Sequence, residues 1–218
     1  MNLDLLLDYP NTWHDEASLQ QPTESGSLPT GFAELDALLP EGGWPLGSVT
    51  ELLVPQEGVG ALQLVLPALA KISQQRRWVA WIAPPYVPYA PALAAAGVDL
   101  SRVLLIHPRA GGDGFAAVER SLRSGTCGAV LAWPTAGEGP ALRRLQLAAA
   151  EGESLGILFR PDQLAQHASP IKLRLQIARR HNGVDVHLLK QRGGWEAGPV
   201  TLSMDRLLQQ QTTDRPLF

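Results

Sequence analysis

The stretch from Thr30 to Leu62, TGFAELDALLPEGGWPLGSVTELLVPQEGVGAL, constrains this chain more than any other part of it. Phe32, Leu35, Leu38 and Leu39 recur at the spacing of a short amphipathic helical turn. A Gly/Pro-rich turn follows at Gly42, Gly43, Pro45 and Gly47. Val49 to Val54 then reads as a buried strand, which feeds a second glycine-bearing loop and an apolar-faced helix. A strand, a glycine loop and a helix in that order make the layout of a phosphate-binding loop, in which backbone N–H groups and the helix N-terminus attract an anion. The chemistry of such a loop also needs a lysine for the β/γ-phosphates and a hydroxyl for the metal. The loop and its exit here are Pro55, Gln56, Glu57, Gly58, Val59, Gly60, Ala61 and Leu62, and no lysine precedes Lys71. Glu57 would repel a phosphate. The expectation is a nucleotide-binding scaffold without its chemistry, and so a protein that takes no cofactor.

The remaining chain supports an α/β fold. Leu62, Val65, Leu66, Leu69 and Ile72 lie on one helical face, and Trp78 to Ala83 is a continuous apolar run typical of a strand buried on both sides. Further strands are expected at Val103–Ile106, Ala129–Trp133 and Leu155–Phe159, with helices at Pro91–Ala96, up to Arg123, and at Ala141–Ala150. Such alternation implies a mostly parallel sheet flanked by helices through right-handed crossovers. From Pro170 the period becomes two: Ile171, Leu173, Leu175 and Ile177 alternate with Lys172, Arg174 and Gln176, Asn182-Gly183 turns the chain, and Val184, Val186 and Leu188 alternate back. This predicts an antiparallel hairpin with one apolar and one polar face, to which Val200–Leu202 adds a short strand. The boundaries expected are an arm and linker over 1–29, a domain over 30–203 (core 30–160, hairpin extension 170–203) and a tail over 204–218.

The segment TGFAELDALLPEGGWPLGSVTELLVP resembles the entry into the ATPase core of RecA-like recombinases. Thr30, Gly31, Leu35, Asp36, Gly42, Gly43, Pro45, Gly47 and Glu51 are the matching residues, and the likeness extends to about Phe159. It is most similar to the short, degenerate members of that superfamily in the bacterial damage response, the ImuA family of translesion-synthesis accessory proteins. That resemblance implies a RecA-like core, a role in supporting or regulating error-prone DNA synthesis, and two partners: an ImuB-type relative of the Y-family polymerases, and RecA itself. Two other readings stand beside it: a SulA-type division inhibitor that binds the tubulin-like division protein, and a nucleic-acid-binding module.

ATP hydrolysis would need two carboxylates beyond the phosphate loop. Pro84-Pro85 stand after the Trp78–Ala83 strand, and Trp133-Pro134 end the Ala129–Trp133 strand. The expectation is therefore a protein that is not an enzyme. His14, His107, His167, His181 and His187 show no metal-ligand spacing with one another or with Cys127. That lone cysteine excludes an intramolecular disulfide, reads as a packed small hydrophobe, and points to the cytoplasm. No apolar run is long enough for a membrane span.

Positive signals lie in charge and at the ends. Residues 1–70 hold ten Asp/Glu and no Lys/Arg, whereas 71–218 hold 11 and 18, a segregation that suits docking through different faces or packing of the acidic start on the basic remainder. Lys172, Arg174, Arg179, Arg180, Lys190 and Arg192 cluster on the hairpin, as a ribbon for an anionic partner or DNA, or as a solvated face. The arm carries Leu3, Leu5, Leu6, Leu7 and Trp13, which bind a partner or fold back on the domain. The tail carries Leu207, Leu208, Leu217 and Phe218, either as a docking peptide or as a frayed end.

Overall fold

A computed structural model describes residues 26–55, 60–108, 114–134, 139–190 and 197–203, with the side chains of Lys190 and Ala197 outside that description. In chain order the elements are β1 (Ser27–Leu28), α1 (Ala33–Leu38), β2 (Trp44–Pro45), β3 (Ser48–Val54), α2 (Ala61–Gln74), β4 (Trp78–Ile82), α3 (Ala90–Ala95), β5 (Val103–Ile106), α4 (Gly114–Arg123), β6 (Cys127–Ala132), α5 (Gly139–Glu151), β7 (Leu155–Pro161), β8 (Leu173–Arg180), β9 (Gly183–Lys190) and β10 (Ala197–Ser203). Short 3-10 turns cover Leu100–Arg102 and Asp162–Gln166.

Among the described residues the main sheet has eight strands in the order β10-β9-β8-β3-β7-β6-β4-β5. The six from β8 to β5 run parallel, and β9 and β10 are antiparallel additions at one side. The expected α/β class with a C-terminal antiparallel hairpin is what the chain adopts. Strand side chains alternate between two cores, as period two requires. Leu52, Val79, Trp81, Leu131 and Phe159 pack with Leu64, Val65 and Leu69 of α2 and Leu35 of α1. Val49, Ala80, Ile82, Val130 and Leu158 pack on the other side with Val118 and Leu122 of α4 and Leu142 and Leu145 of α5. Helices on both faces bury β3, β4, β6 and β7 almost completely, which is why β4 and β6 are continuous apolar runs and why Thr50 and Glu51 of β3 and Arg160 of β7 are buried along with the apolar residues of their strands.

Pro67 sits inside α2 without ending it, packed beneath Gly31. A Cβ at Gly31 would lie 2.8 Å from the Pro67 ring, and Gly31 also holds φ at +90°, so no other residue fits that crossing easily. Cys127, expected just before a strand, is the first residue of β6 and is buried. Among the described residues no helix is long and apolar enough to cross a membrane.

Candidate functional site

The segment expected to hold a degenerate phosphate loop joins β3 to α2. Gly60 caps α2 in the left-handed conformation, φ +92°, and the helix opens with Ala61 and Leu62. Pro55, Gly60, Ala61 and Leu62 are described; Gln56, Glu57, Gly58 and Val59 lie outside the described residues. At the carboxyl ends of the parallel strands, where α/β sheets bind ligands, aromatic rings fill the α2 face. Trp133, just past β6, stacks on Phe159 of β7 with centroids 4.7 Å apart and on Trp81 of β4 at 5.7 Å. The strand end that would carry a metal-holding carboxylate is thus an aromatic wall.

On the opposite face Glu51 is fully buried at the middle of β3. Its Oε1 accepts from Arg160 Nη1 of β7 at 2.5 Å, and its Oε2 accepts from Arg174 Nε of β8 at 2.6 Å. Arg174 spends its other donors on the carbonyls of Leu164 at 2.8 Å and His167 at 3.1 Å, which fixes the 3-10 turn over the sheet. The expectation that Lys172 and Arg174 share an exposed polar face is therefore corrected. Arg174 is only 5% exposed, because the 3-10 turn covers that face and a carboxylate from the neighbouring strand meets it. Period two located the face correctly but carried no signal that it was covered.

The remaining hairpin cations divide. Arg180 Nε donates to Asp185 Oδ2 at 2.6 Å, and Thr201 Oγ1 donates to Asp185 Oδ1 at 2.7 Å. The Arg180 hydrogen bond, with Thr201 second, holds the Asp185 carboxyl below the usual carboxylate range. Lys172 and Arg179 are exposed. The Lys190 side chain and Arg192 lie outside the described residues, as do Leu3, Leu5, Leu6, Leu7, Trp13, Leu207, Leu208, Leu217 and Phe218. Among the described residues no three His, Cys, Asp or Glu side chains group as a metal site.

One surface carries no signal in the sequence pattern of its strand. Among the described residues β5 pairs only with β4 and ends the sheet at that side, with no described strand on its outer backbone edge. Leu104 and Leu105 stand partly in solvent there. The loop leaving β4 begins beside the same strand, Ala83 N donating to Ile106 O at 2.9 Å. It then presents Tyr86 at 72%, Val87 at 76% and Tyr89 at 73% exposure. Pro84, Pro85 and Pro88 stiffen this loop, and proline content was the available signal. An open strand edge beside exposed aromatic rings is suited to protein docking.

The profile of the family described as "Cell division inhibitor SulA" matches residues 47–156, from the turn before β3 to the first residues of β7. Curated relatives carry the same description. The protein from Edwardsiella piscicida is 34% identical over 131 residues, spanning 57% of this chain and 75% of the relative. The one from Photorhabdus laumondii subsp. laumondii is 28% identical over 120 residues, spanning 55% and 68%. The one from Citrobacter koseri is 28% identical over 144 residues, spanning 65% and 79%. The matched span holds the open β5 edge and the Tyr86–Tyr89 loop, whereas the hairpin lies beyond it.

Proposed function

The chain belongs to the SulA family of cell division inhibitors, and from that membership we propose that it blocks division by docking on the tubulin-like division protein. The observation that carries the site is the exposed apolar corner of Tyr86, Val87, Tyr89, Leu104 and Leu105, which falls within the family-matched span. Aromatic anchors of this kind dominate protein interfaces, and the open edge of β5 offers backbone N–H and C=O groups for a partner segment. The action is binding rather than turnover, as suits a loop exit of Gly60, Ala61 and Leu62 and strand ends at Pro84-Pro85 and Trp133-Pro134.

Family membership corrects the reading of a translesion-synthesis accessory protein of the ImuA family, with RecA and a polymerase relative as partners. The residues behind that resemblance build scaffold: Gly31 accommodates Pro67, and Glu51 is locked inside the sheet. Scaffold motifs travel between families of different function. At the level of architecture, Gly60 heading α2 directly after the central strand β3 supports placing the core near the recombinase-like ATPase folds.

The test is sedimentation of polymers of the purified tubulin-like division protein, with and without this chain. An equimolar amount should lower the pelleted fraction, and Tyr86→Ala with Tyr89→Ala should raise the concentration needed by about tenfold or more, the size expected for interface hot spots. Undiminished polymer with the unaltered chain would overturn the proposed function. Full potency of the double variant would move the contact elsewhere.

A further inference from the structure

A groove of about 420 Å³ lies between the β1/β2 turn region and α5, with Pro40, Pro45, Leu46, Leu147 and Leu173 among its walls. Its size is that of a site for several side chains. Leu147 is the telling residue. Leu142 and Leu145 of the same helix are buried, yet Leu147 stands 62% exposed on the groove wall. Lys172 lines the groove, and the exposed Arg143 lies one helical turn before Leu147 on the same side of α5. Glu41 is the acidic residue among the lining.

We propose that this groove seats the chain's own N-terminal segment, Leu3 to Leu7. Three observations select that occupant. The arm joins the domain at the groove itself: the Gly26 carbonyl accepts from the backbone N–H of Leu46, a wall residue, at 2.7 Å, and Ser27 Oγ donates to the Glu41 carbonyl at 2.7 Å. The arm has matching apolar chemistry, four leucines in LDLLL, and the 18 residues between Leu7 and Gly26 reach about 60 Å when extended, far more than the groove requires. Charge is complementary as well, because residues 1–25 hold five Asp/Glu and no Lys/Arg while Lys172 lines the groove and the exposed Arg143 stands one helical turn from Leu147. The Tyr86–Tyr89 corner lies four strand positions away across the sheet, about 19 Å at ordinary strand spacing, and it stays open to an outside partner.

The test uses the full chain with a pair of introduced cysteines, Leu6→Cys and Leu147→Cys, under mild oxidation. Cys127 is buried and does not compete. The control pairs Leu6→Cys with Leu104→Cys on the β5 edge. Seating of the arm predicts an intramolecular disulfide that forms about tenfold or more faster in the groove pair than in the control, because docking raises the local thiol concentration. Adding Lys172→Glu and Arg143→Glu should slow the groove pair toward the control rate. Equal rates in the two pairs would overturn the proposal. A disulfide linking two chains would overturn it in favour of a second copy as the occupant.

Discussion

Glu51 and Arg160 stand on adjacent parallel strands and meet at 2.5 Å with neither side chain appreciably open to solvent. Arg174, from the strand on the other side of β3, closes on the same carboxylate at 2.6 Å. A buried carboxylate between two guanidiniums is held by charge-assisted hydrogen bonds, and removing it strands two cations in a low-dielectric interior. Glu51→Ala should therefore cost about 3–5 kcal/mol, which in a domain of this size lowers Tm by roughly 6–20 °C. Thermal unfolding by circular dichroism measures it. A fall of only a degree or two would mean that water enters and solvates the arginines.

The two hairpin arginines should behave oppositely although they lie five residues apart. Arg174→Ala removes the partner of Glu51 and the donors to the Leu164 and His167 carbonyls, so a loss of about 3 kcal/mol is expected. Arg179→Ala at an exposed position should stay within about 0.5 kcal/mol. Urea unfolding midpoints of the two variants compare them directly. Equal losses would return Arg174 to the solvated face that period two suggested.

Hydrophobic patterning explains why the sheet is legible in the residues alone. β4 and β6 are short apolar runs between turn residues, β3 and β7 are mostly apolar, and burial on both faces writes itself into composition. Long-range placement is not legible in the same way. Nothing local to Arg174 reports that Glu51, 123 residues earlier, lies on the neighbouring strand. Val103–Ile106 likewise reads as one more apolar strand, yet its place at the end of the order β7-β6-β4-β5 leaves Leu104 and Leu105 partly in water. Strand order is a property of crossovers, not of any strand's own residues. Function suffers most, because the residues that resemble a recombinase entry segment are those that build a sheet, and they are indifferent to what docks on it.

Asp185 provides a pH signature. Its carboxyl is held below the ordinary carboxylate range by Arg180 and then Thr201, so the fold favours the ionised form. The associated stability is complete above the unfolded-state pKa of about 4 and is lost as pH falls through the lower folded value. Asp185→Asn should thus cost about 1 kcal/mol at pH 7, a modest figure because Arg180 is largely exposed. The gap from the unaltered protein should narrow below about pH 4. Parallel unfolding curves at pH 7 and pH 3 decide the matter, and a gap that widens in acid would contradict the assignment.

Trp133 stands at the carboxyl end of the parallel strands, where open α/β sheets bind ligands. It occupies the carboxyl end of β6 and stacks between Trp81 and Phe159, on the face where α2 begins at Gly60. A bound triphosphate would need that space open, a lysine at the loop and carboxylates at the strand ends. The chain has rings, Ala61-Leu62 and prolines there instead. Calorimetric titration with Mg-ATP should accordingly show no micromolar isotherm. Trp133→Ala separates blockage from missing chemistry. It should lower stability by about 2 kcal/mol, less than a fully buried tryptophan because Trp133 is half-buried. It should still confer no ATP affinity, since vacating the ring supplies neither the lysine nor the metal ligand. Appearance of micromolar binding in Trp133→Ala would mean that the aromatic wall alone had closed a site whose backbone remained competent.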